Sequence, residues 1–414
     1  MLKVTIITIG DEICIGQVTN SNAAWIATQL VNIGALVLLH SVIRDEKNII
    51  ISELERCLGL SDVVIITGGL GPTHDDITKS TLCDFFGDKL ILHNPTLNHI
   101  KNLFEKRGIN ISDRNSEQAL IPSKCAVLEN LLGTAPGLLF DYQGKYIFAL
   151  PGVPREMMEI VGANIIPFLE KINYINHEEI ILYKTLHTSG IPESSLADLI
   201  GPPENFLNGG TLAFLPSYQG VRLRIGVVAD NKINAKKKIK KIINILEEKI
   251  GKYIFSASDD SLSSTIGKIL IKKNQTLSVV ESCTGGLLGS AITDNPGCSK
   301  YFVGGLILYN NVLKIKLANI DKSVLDIFGA VSEETAISLA MNTREKLNSD
   351  FCISITGVAG PSGGSIDKPV GTVWIGIAGH DFAIARKFLF ANNRHVNRER
   401  AVGTALRLLY ENIK

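Results

Sequence analysis

Short runs of consecutive apolar residues, separated by stretches of helical length, constrain the fold of this chain more than any other feature. In the N-terminal part they cover Val4 to Ile9, Leu36 to Ile43, Val63 to Ile66 and Tyr146 to Leu150. Continuous apolar strands are typical of a parallel sheet that is covered on both faces. The pattern predicts an α/β domain of βαβ type, in which ligands bind at the carboxyl ends of the strands.

The pattern of apolar runs and the local composition change twice along the chain. Its 414 residues suit two or three domains of roughly 150 residues each. We predict an α/β domain over residues 1–170, a small α+β domain over 171–255, a Ser/Asp-rich linker over 256–263 and a second α/β domain over 264–414. The third part has apolar strands of its own, such as Leu277 to Val280, Gly304 to Tyr309 and Phe351 to Thr356, and a helix is predicted over Thr284 to Thr293.

Charge and composition exclude several classes of protein. The formal net charge of +1 provides no long-range attraction for nucleic acid or anionic membranes. The basic run from Lys236 to Lys241 has no interleaved aromatic residues, so a solvated helix face is favoured over a nucleic-acid patch. The longest apolar stretch, Tyr301 to Tyr309, is far shorter than the roughly 18–20 residues of a membrane span. Seven cysteines without a C-x-x-C pair argue against a disulfide framework, and we expect a cytoplasmic protein.

The glycine-rich segment from Gly68 to Thr73 follows an apolar strand, where backbone N–H groups can approach a phosphate closely. It matches neither the Walker A motif nor G-x-G-x-x-G. Asp75 and Asp76, with Asp11 and Glu12 on the loop after the first strand, supply oxygen ligands of the kind that hold a divalent cation beside phosphates. Alternatively, Asp75 and Asp76 cap the helix that begins near Ile77. Spacing alone favours neither interpretation.

In the third domain, Ser282 lies at a strand-to-helix turn where backbone N–H groups converge. The G-x-S-x-G motif and a suitable His/Asp pair are missing, which disfavours a Ser-His-Asp triad. A lysine deprotonated by desolvation can act as the base instead, and Lys314 is the candidate; the alternative is an ordinary surface lysine. The segment Thr356 to Pro361 ends another strand, and its amides can form an oxyanion hole. Cys283 is interpreted as a buried packing residue.

The N-terminal motifs resemble those of the CinA family (competence/damage-inducible protein A), whose N-terminal half is similar to molybdopterin-binding proteins. The resemblance is carried by Gly10-Asp11-Glu12, Thr67 to Thr78, Asn115-x-x-Gln118-Ala119, Gly133-Thr134-Ala135-Pro136-Gly137 and Pro151-Gly152-Val153-Pro154-x-Glu156-Met157. It implies a homodimer that hydrolyses ADP-ribose with Mg, Mn or Co. The residues implicated are Gly68, Gly69, Gly71, Thr73 and Asn115 for the substrate, Asp11, Asp75 and Asp76 for the metal, and Glu156 or Asp11 as the base.

From about residue 265 onward the sequence resembles the C-terminal CinA, or nicotinamide-nucleotide amidase, family. The matching motifs are Glu281 to Gly286, Pro296-Gly297-x-Ser299, Gly304-Gly305, Tyr309-x-Asn311-x-x-Lys314, Gly329-Ala330-Val331-Ser332, Thr356 to Pro361 and Lys368-Pro369-x-Gly371-Thr372-Val373. The resemblance implies deamidation of nicotinamide mononucleotide to nicotinate mononucleotide and ammonia without a cofactor. It also implies a KH-like fold for the middle domain.

The resemblance also implies a role for each residue of that site. Ser282 attacks the carboxamide, Lys314 transfers its proton, and Tyr309 positions both. Thr356 and nearby amides stabilise the oxyanion, and Arg394 or Arg398 binds the 5′-phosphate. The substrate-binding glycines are Gly285, Gly286, Gly357 and Gly360. Two departures from the family are Asn310, where serine is frequent, and Asn392-Asn393, where a glycine precedes the late arginine.

The leading hypothesis is thus a bifunctional enzyme of pyridine-nucleotide salvage that acts on nicotinamide mononucleotide and ADP-ribose. In the first alternative, the N-terminal domain binds a pterin or a nucleotide without catalysis. In the second, the protein is an accessory factor of competence or DNA repair, which the balanced charge disfavours.

Overall fold

The computed structural model describes residues 1–73, 76–106, 108–176, 179–218, 220–258, 260–390 and 393–414 of the chain. Contacts between residues group these into two compact units. The first unit comprises Met1–Tyr183 and Gly226–Lys240, and the second comprises Lys184–Ile225 and Lys241–Lys414. Within the described residues no helix is both long enough and apolar enough to cross a membrane. All seven cysteines are free thiols.

The N-terminal region is built on a six-stranded sheet with helices between the strands. The strands of this region, two of which lie outside the six-stranded sheet, are β1 (Lys3–Ile9), β2 (Leu36–Ile43), β3 (Val63–Thr67), β4 (Leu90–Leu92), β5 (Leu120–Pro122), β6 (Ala126–Leu128), β7 (Gly137–Tyr142) and β8 (Lys145–Leu150). Its helices are α1 (Asp11–Cys14), α2 (Ser21–Asn32), α3 (Lys47–Leu60), α4 (Thr78–Phe86), α5 (Asn94–Lys106), α6 (Asp113–Ser116), α7 (Pro154–Ile160) and α8 (Ile166–Asn176), with a π-helical turn at Val161–Ile165. The sheet order is β2-β1-β3-β8-β7-β6, and β4 pairs with β5 separately.

Both faces of this sheet are covered, as the continuous apolar strands predict. In β1, Ile7 and Ile9 belong to one buried cluster, whereas Val4 and Ile6 belong to another. The strands β2, β1, β3 and β8 are parallel, and β1 pairs with β3 up to Thr8 and Thr67. Their carboxyl ends therefore meet at one edge of the sheet, which brings the loop after β1 beside the glycine-rich loop after β3.

The middle region has four strands in the order β10-β11-β9-β12. Its elements are β9 (Ile180–Thr188), α9 (Glu193–Ile200), α10 (Glu204–Leu207), β10 (Thr211–Ser217), β11 (Gly220–Ala229), α11 (Lys232–Ile250) and β12 (Ile254–Ser256). The run from Lys236 to Lys241 exposes each of its lysines, while Ile239, Ile242 and Leu246 are buried. The predicted exposure of this basic face is confirmed, whereas the expectation that it does not bind nucleic acid stays a prediction.

The C-terminal region has a five-stranded sheet in the order β14-β13-β15-β16-β17. Its strands are β13 (Leu277–Glu281), β14 (Phe302–Ile307), β15 (Phe351–Gly357), β16 (Thr372–Ala378) and β17 (Ala383–Leu389). Its helices are α12 (Leu262–Lys273), α13 (Leu287–Thr293), α14 (Asn311–Ala318), α15 (Lys322–Phe328), α16 (Glu333–Lys346) and α17 (Arg394–Ile413). Strand β13 is parallel to β14 and β15, whereas β16 pairs antiparallel with both β15 and β17.

Two boundaries near the candidate site differ from the sequence prediction. Helix α13 begins at Leu287 instead of Thr284, because Gly285 and Gly286 have φ values of +60° and +95° and form a turn. Strand β14 ends at Ile307, two residues before the predicted end at Tyr309, whose side chain is 60% exposed.

Candidate functional site

Three strand ends converge at one edge of the C-terminal sheet. Because β14, β13 and β15 are parallel neighbours, the residues that follow them share one edge of the sheet. Backbone hydrogen bonds join these ends directly. Ser282 N–H donates to Ile355 O at 2.9 Å, and Leu308 N–H donates to Glu281 O at 2.7 Å.

Ser282 lies in a tight turn that a buried carboxylate holds in place. Glu281, which is 1% exposed, accepts hydrogen bonds from Gly286 N–H at 3.0 Å, Leu288 N–H at 3.1 Å and Gly289 N–H at 2.8 Å. It thereby caps the first turn of α13, a role usually taken by an N-cap side chain. Sequence reasoning included Glu281 in a motif but gave it no role. The sequence did contain a signal for this role, because Glu281 directly follows an apolar strand. A carboxylate buried at the end of such a strand needs several hydrogen-bond donors.

Lys314 is buried on α14, not exposed as an ordinary surface lysine would be. The residue is 1% exposed, and its Nζ donates to Tyr309 O at 3.3 Å and to Asn311 Oδ1 at 3.5 Å. Burial lowers the pKa of the amine, an effect that Cys283 partly opposes. Among the described residues, no hydrogen bond joins Lys314 Nζ to the hydroxyl of Ser282, which is itself 9% exposed.

The two late arginines hold different parts of the same edge. Arg394 donates to Gly360 O at 2.9 Å and to the hydroxyl of Tyr309 at 3.1 Å. Arg398 donates to Thr284 O at 2.7 and 3.3 Å, beside the serine turn. Arg394 is exposed and Arg398 is partly buried. The structure therefore brings both arginines to the predicted site and gives them distinct surroundings.

Asn393 precedes the late arginines and has a structural role at the start of α17. Its side chain accepts a hydrogen bond from Val396 N–H at 3.0 Å and so caps the helix. Its neighbour Asn392 lies outside the described residues. The departure from the family at this point therefore includes a helix cap.

The strand end at Thr356 is fixed by its side chain and by close packing. The hydroxyl of Thr356, which is 1% exposed, donates to Ala330 O at 2.6 Å. A Cβ on Gly357 would lie 2.7 Å from Thr372 O, and one on Gly360 would lie 2.4 Å from a methyl of Val370. These glycines allow the loop to pack against its neighbours, whereas the Thr356 hydroxyl braces the loop after α15.

Cys283, adjacent to Ser282, does not have the surroundings of a reactive thiol. It belongs to the largest buried apolar cluster of the C-terminal region, and burial raises its pKa to about 12. A thiol that stays protonated is a poor nucleophile.

In the N-terminal region, a cavity of about 410 Å³ opens at the edge where β1 and β3 end. Gly68, Gly69 and Gly71 line it, and no larger residue fits at Gly68, where a Cβ would lie 2.2 Å from Ile9 O. The carboxylates in its wall are Glu12, Asp45, Asp76 and Glu156. Two buried oxygens in its lining, Asn22 Oδ1 and Gln118 Oε1, have no hydrogen-bond partner among the described residues. Such oxygens can accept from a ligand or bind a cation.

Of the three predicted metal ligands, Asp76 is the one that the structure places in the cavity wall among the residues it describes. Asp76 lines the cavity, and its carboxylate accepts from the N–H (2.8 Å) and the hydroxyl of Thr73, so it closes the loop before α4. Asp75 lies outside the described residues. Asp11 is exposed at the start of α1, where its N–H donates to Asp45 Oδ2 at 3.2 Å. Among the described residues, no three His, Cys, Asp or Glu side chains form a metal-binding group.

Glu156 is held against a loop on the cavity wall. Asn130 Nδ2 donates to Glu156 Oε2 at 2.7 Å and to Ala135 O at 2.8 Å, while Asn130 Oδ1 accepts from the N–H groups of Leu132 and Gly133. A Cβ on Gly133 would lie only 2.0 Å from the Glu156 carboxylate. Sequence reasoning missed Asn130, because its partner lies 26 residues further along the chain.

Asn115, predicted to bind substrate, lies in a local turn in which it accepts a hydrogen bond from the hydroxyl of Ser112. Gln118, three residues further on, is the member of that motif in the cavity wall. Lys79 is a second residue that sequence reasoning did not use. Its Nζ donates to Glu117 O at 3.3 Å, and burial lowers its pKa.

Comparisons with known proteins agree with the fold in all three parts of the chain. Residues 5–171 match the family model "Probable molybdopterin binding domain", residues 183–256 match "Damage-inducible protein CinA KH domain", and residues 259–413 match "CinA C-terminal domain". The predicted fold class, a molybdopterin-binding-like α/β domain, a KH-like middle and a CinA C-terminal α/β domain, is confirmed.

Similar proteins cover nearly the whole chain. A CinA-like protein of Chloroherpeton thalassium is 39% identical over 98% of this chain and 98% of its own length. A CinA-like protein of Cytophaga hutchinsonii is 39% identical over 99% of this chain and 97% of its own length. Among solved structures, the competence/damage inducible protein CihA of Agrobacterium tumefaciens is 32% identical over 36% of this chain and 92% of its own, with a TM-score of 0.36.

Proposed function

The chain belongs to the CinA family, and on that premise we propose that its C-terminal domain converts nicotinamide mononucleotide to nicotinate mononucleotide and ammonia. The observation that supports this most is the buried amine of Lys314 at the sheet edge that carries Ser282. Because burial lowers its pKa, more of this amine is unprotonated near neutral pH than in an ordinary lysine. A serine activated by an unprotonated lysine is an established alternative to the Ser-His pair.

The reaction proceeds through an ester on Ser282. Lys314 takes the hydroxyl proton as Ser282 Oγ bonds to the carboxamide carbon, and it returns a proton to the nitrogen as the C–N bond breaks and ammonia leaves. Water then attacks the ester carbon, Lys314 takes a proton from it, and the Ser282 oxygen recovers a proton when nicotinate mononucleotide is released. The net reaction consumes one water and needs no other reactant.

This scheme requires Lys314 Nζ to come within hydrogen-bonding distance of Ser282 when substrate binds. Its two hydrogen bonds, at 3.3 and 3.5 Å, are long enough to be exchanged easily. Catalytic hydrogen bonds are often long without substrate and shorten in the complex.

We assign the two arginines different roles: Arg394 binds the 5′-phosphate, and Arg398 supports the serine turn. Arg394 uses two of its five N–H groups on Gly360 and Tyr309 and is exposed, so it retains donors for a phosphate. Arg398 braces the serine turn through Thr284 O. We expect Arg394→Lys to raise the KM for nicotinamide mononucleotide and Arg398→Lys to lower kcat.

The experiment that tests the amidase is ammonia release from nicotinamide mononucleotide by the full-length protein. Ser282→Ala should reduce the rate by at least about 100-fold, since the ester can no longer form. Ser290→Ala, an exposed serine on α13, is the matched control and should keep the wild-type rate. If the Ser282 variant matches the wild type, Ser282 is not the nucleophile.

For the N-terminal domain we propose hydrolysis of ADP-ribose to AMP and ribose 5-phosphate. The supporting observation is the cavity in which the backbone of Gly68 to Gly71 lies near carboxylates and unpartnered amide oxygens. This donor set fits a hard divalent cation such as Mg²⁺, which is usually held by one or two carboxylates together with substrate phosphates. Asp76 would hold such an ion, and the ion would neutralise the diphosphate.

Glu156 is the candidate base in this cavity. It takes a proton from the water that attacks one phosphorus, the bond to the bridging oxygen breaks, and the departing phosphate keeps that oxygen. With Mg²⁺, Mn²⁺ or Co²⁺ present, Glu156→Gln should release AMP at least about 100-fold more slowly than the wild type. Glu170→Gln, an exposed carboxylate on α8, serves as the control. Tight binding of ADP-ribose by the wild type without AMP release would favour a binding module instead.

A further inference from the structure

A second cavity lies in the N-terminal region, and the proposed reactions do not use it. Its volume is about 560 Å³, within the range of small-molecule sites. Its lining is largely apolar and comes from the segments around β4, β5 and β6. The lining residues used below are Ile91, His93, His99, Leu131, Gly133 and Thr134.

The second cavity adjoins the glycine-rich one through a shared wall. Thr134 lines both cavities, and Gly133 lies between them. On one side Gly133 packs against the carboxylate of Glu156, and on the other its carbonyl oxygen bonds to His99 Nε2 at 3.2 Å. A ligand that extends past Thr134 would therefore contact both cavities.

Two imidazoles, those of His93 and His99, line the second cavity, and the hydrogen bonds that they make to described residues use a different ring nitrogen in each. A carbonyl oxygen only accepts, so His99 carries its proton on Nε2 and keeps Nδ1 as an acceptor. His93 Nδ1 accepts from Thr96 N–H at 3.4 Å and lies 2.8 Å from the Thr96 hydroxyl, so its proton is on Nε2. One ring thus offers an acceptor and the other a donor.

We propose that the second cavity binds the planar nitrogen heterocycle of a nucleotide whose diphosphate lies in the glycine-rich cavity. The edge of such a ring presents both a donor and an acceptor, which complement His99 and His93. Apolar walls favour burial of its faces. This inference builds on the proposed hydrolysis of ADP-ribose and adds a binding site for the base.

Two pairs of adjacent residues provide matched variants for the test. Leu131 and Ile91 line the second cavity, and they are 60% and 44% exposed, so a larger side chain there should not prevent folding. Their neighbours Leu132 and Leu92 are 44% and 51% exposed and are not among the cavity-lining residues. Each of the four is changed to tryptophan in the full-length protein.

The measurement is the affinity for AMP and for ribose 5-phosphate by titration calorimetry. Leu131→Trp and Ile91→Trp should raise the Kd for AMP at least tenfold and leave that for ribose 5-phosphate unchanged. Leu132→Trp and Leu92→Trp should change neither. If both lining variants fold, as judged by circular dichroism, and still bind AMP like the wild type, the proposal is overturned.

ADP-ribose hydrolysis by the same proteins separates this inference from the reaction on which it builds. If the wild type releases no AMP but its AMP affinity depends on Leu131 and Ile91, the hydrolase proposal fails and the base site stands. If hydrolysis is intact and its KM is unaffected by both lining variants, the base site fails and the hydrolase stands.

Discussion

Replacing Lys314 by methionine separates a catalytic role of its amine from a structural one. Methionine keeps an unbranched apolar chain in a site that is 1% exposed, with sulfur in place of one methylene, and it removes the amine. The hydrogen bonds lost, to Tyr309 O and Asn311 Oδ1, are so long that each contributes at most about 1 kcal/mol. Their loss is opposed by relief of the cost of burying an ammonium group. We expect the free energy of unfolding at pH 7 to change by less than about 2 kcal/mol.

Activity should respond quite differently, because the amine is the proposed base. Removing a general base costs typically about 10²–10⁴-fold in rate, so kcat for nicotinamide mononucleotide should fall by that factor in Lys314→Met. In the wild type, kcat should rise with pH until Lys314 is deprotonated, at a pH below the ordinary lysine value of 10.5.

The pH dependence of stability provides an independent check. Because the pKa of Lys314 is lower in the folded state, the unfolded chain binds more protons between the folded pKa and 10.5. The stability of the wild type relative to Lys314→Met should therefore increase as pH rises through that window. Below the folded pKa, the wild type bears the full destabilisation caused by burying a charged amine.

Trp374 on β16 allows both proteins to be measured in the C-terminal region alone. The chain has two tryptophans, so Trp25→Phe leaves Trp374 as the fluorescent reporter of urea unfolding. If the difference in stability between the two proteins does not vary between pH 7 and pH 10, the pKa of Lys314 is not lowered by burial. If Lys314→Met has the wild-type kcat, Lys314 is not the general base.

Three further changes test other contacts. Glu281→Gln replaces one acceptor oxygen by a donor, so at least one of its three amides loses its partner; urea unfolding should show a loss of about 2–4 kcal/mol, against almost none for the exposed Glu333→Gln. Cys283, with a pKa of about 12, should resist iodoacetamide at pH 8 in the native protein, and Cys283→Ala should keep the amidase rate; loss of that rate would contradict its packing role. Asn130→Asp places a second carboxylate beside Glu156 and should shift the acidic limb of ADP-ribose hydrolysis to higher pH, whereas an unchanged profile would exclude Glu156 as the base.

The sequence predicted the sheets well wherever strands are buried on both faces. The predicted run from Val4 to Ile9 differs from β1 by one residue, because every position after Lys3 is buried and the apolar run has sharp ends. The edge strand β14 was displaced by two residues. The apolar run continues through Leu308 and Tyr309, past Ile307, the last residue that pairs with β13, so the sequence does not mark where this strand ends.

The sequence predicted the location of the candidate sites but not the contacts that hold them. Ser282 and Gly68 were identified because both follow apolar strands, which fixes their edge of the sheet. Glu281 and Asn130 were not assigned their roles, because those depend on backbone amides and on a carboxylate brought close by folding. Local spacing carries no information about such partners.

The parallel pairing of β14, β13 and β15 sets the dimensions of the C-terminal site. Adjacent strands lie about 4.8 Å apart, so the spacing between the serine turn and its flanking loops is determined by backbone hydrogen bonds. Insertions in those loops could then alter which molecules are accepted while the nucleophile keeps its place. Changes of specificity in this domain should therefore map to loop length and composition, and its strands should tolerate only substitutions that preserve pairing.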